Sequence, residues 1–200
     1  MAKRRQYHHG NLREALLEAS VQVIREAGPK GLTLREVARR AGVSHNAPYR
    51  HFDSKEALLA AVAGQGFREL KAAMLKEAKG HNAAERLRQA GIAYVAFALR
   101  RPQHFAAMFD SPFPEAKYPE SAKAGQEAFE TLVALVEACQ TEGLLAGGPC
   151  REMALYSWSL VHGVGKLATA GMLPYRSKPE ILSFTRALLS QPAPARRELT

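Results

Sequence analysis

Apolar residues along the chain recur three and four positions apart, and no segment alternates in the way of a strand. Leu12, Leu16, Ala19, Val23 and Ala27 give a first helix one apolar face, with Asn11 placed to cap it and Gly28-Pro29 to end it. Thr33 followed by Glu36 predicts a capping box at the start of a short second helix, with Leu34, Val37, Ala38 and Ala41 facing inward. Gly42 breaks that helix at a position suited to positive φ. Ser44 predicts the cap of a third helix through about His51 or Phe52. Ser54 predicts the cap of a longer fourth one, running to about Lys79.

Beyond "KGHN" (79–82) the pattern changes. Residues 84–100 are apolar on nearly every side, which predicts a central, buried helix. Pro102 opens a short helix carrying Phe105, Met108 and Phe109, and "DSPFPEAKYPE" (110–120) reads as a loop. Residues 121–142 are helical, with Phe129, Leu132, Val133, Val136 and Cys139 on one face. Residues 151–171 and 179–190 complete an all-α chain, and "QPAPARRELT" (191–200) is expected to be a disordered tail.

Charge narrows the function. The net charge is +9, and residues 1–60 hold eleven Lys and Arg against six Asp and Glu. A basic N-terminal segment on a milder body suits an anionic partner, nucleic acid or membrane surface. The most apolar run, "AGIAYVAFAL" (90–99), is too short to span a bilayer. The N-terminus is basic with no apolar run behind it, so it is not a secretory signal. Cys139 and Cys150 have no metal or redox spacing and are expected as reduced thiols. A soluble, cytoplasmic protein is expected.

A helix, a turn containing "AGV" and a second short helix make a helix-turn-helix, whose second helix enters the major groove N-terminus first. That places His45 and Asn46 at the base edges: asparagine pairs with adenine through two hydrogen bonds, and histidine donates to guanine. Thr33, Ser44, Tyr49, His51 and Lys55 suit phosphate contact, through hydroxyls, amides and charge. Arg50 fits either task and is assigned to bases. Arg4 and Arg5 lie on an arm suited to the phosphate backbone or minor groove. With Ser44 as the cap, Pro48 is the fourth helical residue and gives up at most one backbone bond. The alternative is a helical ligand-binding or small enzymatic protein whose helix-turn-helix is structural.

"TLREVARRAGVS" and "YRHFDSKEALL" resemble the N-terminal signature of the TetR family of bacterial transcriptional regulators. Pro48 departs from it, where the family usually has a larger apolar residue. "WSLVHG" (158–163) resembles the Trp/His-Gly pattern of one C-terminal subclass. The resemblance implies a DNA-binding domain over residues 1–60, a helical effector-binding and dimerisation domain over 61–190, and the tail over 191–200. It also implies a repressor that binds a near-palindromic operator as a homodimer and is released by a small apolar effector. Tyr94, Phe97, Phe105, Met108, Phe129 and Trp158 are the expected pocket residues, each also a good core residue. The helices of residues 151–171 and 179–190 are expected to pair across the dimer axis.

Other constellations carry less. His8 and His9 lack further ligands at metal spacing, and His162, beside Trp158 and Gly163, reads first as a core histidine. No nucleophile motif, phosphate loop or acidic pair marks an enzyme, so no catalytic residue, cofactor or metal is assigned.

Overall fold

The computed structural model describes residues 12–111, 113–145 and 148–191. Among these the chain is all helical: α1 (Leu12–Gly31), α2 (Leu34–Ala41), a 3-10 turn (Ala47–Arg50), α3 (Lys55–Glu77), α4 (Ala83–Arg100), α5 (Pro102–Phe109), α6 (Pro119–Thr141), α7 (Cys150–Thr169) and α8 (Lys178–Leu189). Asn11, the arm with Arg4, Arg5, His8 and His9, and residues 192–200 of the expected tail lie outside the described residues. No described helix is long and apolar enough to cross a membrane.

Packing divides the chain into two units. The first holds the residues up to Phe67 together with 103–125; the second holds 68–102 and everything from Gln126 onward. The division expected from sequence falls after residue 60 and leaves α5 and the start of α6 on the other side.

The core of the first unit gathers Leu16, Val23, Leu32, Val37, Leu58 and Val62, all essentially inaccessible to solvent. The buried side of α1 is Leu16, Leu17, Ala19, Ser20, Val23 and Ile24, while Ala27, expected inside, is exposed. Ser20 is tolerated there because its hydroxyl donates to the Leu16 carbonyl, 2.7 Å away. Helical geometry breaks at Gly28 (φ 67°, ψ 173°). A residue before proline is driven out of the helical region, and glycine alone takes this φ without strain. α3 and α6 approach closely: a Cβ on Gly64 would sit 2.9 Å from Ser121 Oγ and 3.3 Å from its Cα. The Ser121 hydroxyl donates to the Ala60 carbonyl at 2.7 Å.

In the second unit α4 packs on α7 and α8. Its buried residues include Ala90, Ile92, Ala93, Tyr94, Val95, Phe97 and Ala98, a band too broad for one face, as its all-round apolar sequence predicts. Asn82 caps α4, and Glu142 accepts from the Ala83 N–H (2.7 Å) and from Arg86 (2.8 Å). Those bonds hold the Glu142 carboxyl below its usual range, the Ala83 amide contributing most. Ser177 and Glu180 form a complete capping box on α8.

Candidate nucleic-acid interface

α2 begins as its sequence requires. Thr33 accepts the Glu36 N–H at 3.2 Å, satisfying one amide of the first turn. The reciprocal half of the expected capping box is absent, because the Glu36 carboxylate is taken by Arg39 (2.8 and 2.6 Å) and Arg40 (3.0 Å). Charge-assisted bonds to guanidinium outcompete one to a neutral amide. α2 ends at Gly42 (φ 69°, ψ 27°), where the Gly42 and Val43 N–H groups close on the last carbonyls.

The segment after the turn differs from its sequence expectation. Ser44 does not cap an α-helix; Ala47–Arg50 is a 3-10 turn entered from Asn46, with no side-chain cap. Pro48 supplies the reason. Without an N–H it cannot bond the Ser44 carbonyl four residues back, so Ala47 takes that carbonyl at 2.9 Å, three residues on. Ala47, Pro48 and Phe52 are buried, and this anchors the turn on the core.

The anchoring turns the polar residues outward. Ser44, His45, Asn46, Tyr49, Arg50 and His51 are all exposed, Tyr49 to 57%. A groove of about 770 Å³ runs along this side, lined by Thr33, Arg35, Glu36, Ala38, Arg39, Val43, His45 and Tyr49. Lys55 stands elsewhere: its ammonium donates to the Lys30 carbonyl and ties α3 to the end of α1. Arg35 and Arg39 line the groove without having been singled out from sequence. Their i, i+4 spacing on the exposed side of α2 is the signal that would have found them.

The expected pocket residues fall into both units. In the second unit, Trp158 donates its indole N–H to Tyr94 Oη at 3.1 Å, and Tyr94 Oη lies 2.8 Å from His162 Nδ1. Burial pushes the Tyr94 hydroxyl above its ordinary pKa. Phe129 packs on Trp158 with ring centroids 6.0 Å apart, both half-buried, while Phe97 is core. Phe105 and Met108 belong to the first unit. There Phe105 meets Phe109 edge to face, and Met108 lies against Gly66. Among the described residues no group of three or more His, Cys, Asp or Glu could hold a metal ion.

Two family models match this sequence. Residues 16–62 match the bacterial regulatory proteins of the tetR family, and residues 87–190 match the tetracyclin repressor-like C-terminal domain. The chain is 29% identical to the HTH-type transcriptional regulator BetI of Burkholderia thailandensis, over 68% of this chain and 84% of that protein. It is 43% identical to the class C tetracycline repressor protein of Escherichia coli over a shorter stretch, 26% of this chain and 23% of that one. A solved structure from Rhodococcus sp. RHA1, of a protein of unknown function, superposes with a TM-score of 0.78. It has 33% identity and covers 92% of this chain and 96% of its own. The Trp/His-Gly subclass rests on residues 158–163 alone. With both units matched, the chain belongs to the TetR family of bacterial regulatory proteins, transcriptional regulators that bind DNA through a helix-turn-helix.

Proposed function

We propose that this chain is a repressor, not an enzyme, that acts in the cytoplasm. It holds a near-palindromic operator as a homodimer and lets go when a small apolar molecule binds its second unit. The observation that carries the DNA half is the row Ser44, His45, Asn46, Tyr49, Arg50 and His51: all polar, all exposed, on a turn fixed by buried Ala47, Pro48 and Phe52. His45, Asn46 and Arg50 read bases; Thr33, Ser44, Tyr49 and His51 hold phosphates. Lys55 joins the phosphate set only by leaving the Lys30 carbonyl. Arg4 and Arg5 add backbone contacts from the arm.

Repression is supported by the tetracycline repressor, which a stretch covering 26% of this chain resembles. The effector half rests on the aromatic cluster of buried Tyr94 with half-buried Phe129 and Trp158, where the Trp158 indole bonds Tyr94 and packs on Phe129. Aromatic side chains of this kind favour an apolar ligand. Release follows from linkage: a ligand preferring the conformation that fits DNA poorly weakens DNA binding by the same coupling. The homodimer rests on α7, where Leu155, Tyr156 and Leu167 are exposed on one stripe with Ser159 and Gly163. A Cβ on Gly163 would meet nothing within 4 Å, which leaves room for a second helix.

Base readout and phosphate binding separate on mutation. Asn46→Ala should relax preference at particular bases, losing about 1–3 kcal/mol of discrimination for one bidentate contact. Tyr49→Phe should weaken binding to all duplexes alike. Anisotropy titrations against a panel of single-base variants of one bound duplex distinguish the two. An unchanged base preference in Asn46→Ala would remove that residue from the reading set.

A further inference from the structure

Three charged side chains of α2 and one of α1 form a ladder. Arg40 joins α2 to α1: its Nε donates to Glu36 at 3.0 Å, and its two terminal nitrogens donate to Glu26 on α1. Arg40 thereby spends three of its five N–H groups, one from each nitrogen, within the protein. Arg39 meets Glu36 fork to fork, Nε on Oε2 at 2.8 Å and Nη2 on Oε1 at 2.6 Å. Among the described residues Arg39 has no further acceptor. A guanidinium carries five N–H groups, so three of them remain for another partner.

Stability does not account for the outer pair. The Arg39 side chain is 69% exposed, and exposed pairs of this spacing add little to folding. Its effect is geometric, since a long side chain with many rotamers is held in one. Both Glu36 and Arg39 line the groove beside His45 and Tyr49, on the side where the phosphate strand is placed above. A carboxylate there would repel DNA unless its charge were taken up, and two guanidinium groups take it up. They also hold the Glu36 carboxyl down to about 2, Arg39 contributing most, so it is ionised whenever the protein is folded near neutrality.

We propose that Arg39 is a ligand for an operator phosphate and that Glu36 is its positioning residue. The carboxylate fixes the guanidinium at the groove wall, and the three remaining N–H groups face the DNA backbone. This rests on the DNA-binding reading above and extends it to two residues that reading does not use.

The test is a set of salt titrations at pH 7, with a duplex selected from a random pool and with a random duplex of equal length. Arg39→Ala should weaken binding to both duplexes about fivefold at moderate salt and reduce the slope of log K on log salt by about 0.9, one phosphate fewer. Glu36→Gln is the sign-determining variant. Removing a negative charge from the groove should tighten binding if charge alone counts, whereas loss of a positioning residue should loosen it severalfold with no fall in slope. The double variant should bind no worse than Arg39→Ala, because Glu36 acts through that residue. Glu26→Gln, which leaves the Arg39–Glu36 fork in place, should bind as the native chain does. Matching melting curves show that each variant is folded. An unchanged slope in Arg39→Ala, or tighter binding by Glu36→Gln, overturns the proposal. A native chain with no salt-dependent DNA binding overturns the DNA-binding reading itself, and this proposal with it.

Discussion

Glutamate at both Leu155 and Leu167 is expected to convert the proposed dimer into a folded monomer that no longer retains operator DNA. Both side chains are nearly half exposed in the single chain, 47% and 44%, so the new charges stand in water and leave its core intact. Across a two-fold axis the same substitutions bring four carboxylates into one apolar seam. Burying the exposed half of a leucine is worth about 0.7–1.5 kcal/mol. Losing four such contributions removes roughly 3–6 kcal/mol, about two to four orders of magnitude in dimer dissociation. A monomer then forfeits the second half-site, and with it about 10²–10⁴ in avidity. Light scattering and an operator gel shift on one preparation measure both effects. Leu182 and Leu189 on α8 are poorer probes than their sequence suggests. Both are half-buried, and Leu189 lies over Gly91 within its own chain, where an added Cβ would be 2.9 Å from it.

Phe105→Ala is expected to damage stability while sparing effector response, which separates core from pocket among the aromatic residues. Phe105 is 1% exposed, its ring 5.0 Å from Phe109, which in turn meets Phe67 at 5.6 Å. Truncating a buried phenylalanine leaves a cavity and costs about 3–5 kcal/mol. In a chain of this size the melting temperature should fall by about 10 °C. Trp158→Ala should lose less, since Trp158 is only half-buried, and should instead weaken the response to an apolar effector. A melting temperature unchanged in Phe105→Ala would show that its ring does not belong to the core.

Much of the framework was legible in the chain because local rules decide it. Thr33 and Gly42 bound α2, Ser54 accepts the Ala57 N–H at the start of α3, and the four apolar residues of α2 are the buried ones. What escaped depends on competition or on distance. Ser44 has the chemistry of a cap, but Pro48 removes the amide that would have continued an α-helix, and the turn tightens to 3-10. Glu36 has the chemistry of a capping box, but the guanidinium groups of Arg39 and Arg40 compete for it. Lys55 bonds a carbonyl 25 residues away, a meeting that spacing does not encode. Helical periodicity likewise shows that Phe105 and Tyr94 are buried without showing against what, and the two proved to serve different units.

On the function proposed above, residues 33–51 present a base-reading surface, used in pairs. The most direct test is to select duplexes bound by the purified chain from a random pool at about 0.15 M salt. The expected result is enrichment of a near-palindrome whose half-site centres lie roughly 34–36 Å apart, or a multiple of that spacing. In Asn46→Ala this preference should blur at defined positions. A pool that stays random after repeated rounds, or an enriched site with no two-fold symmetry, would contradict it.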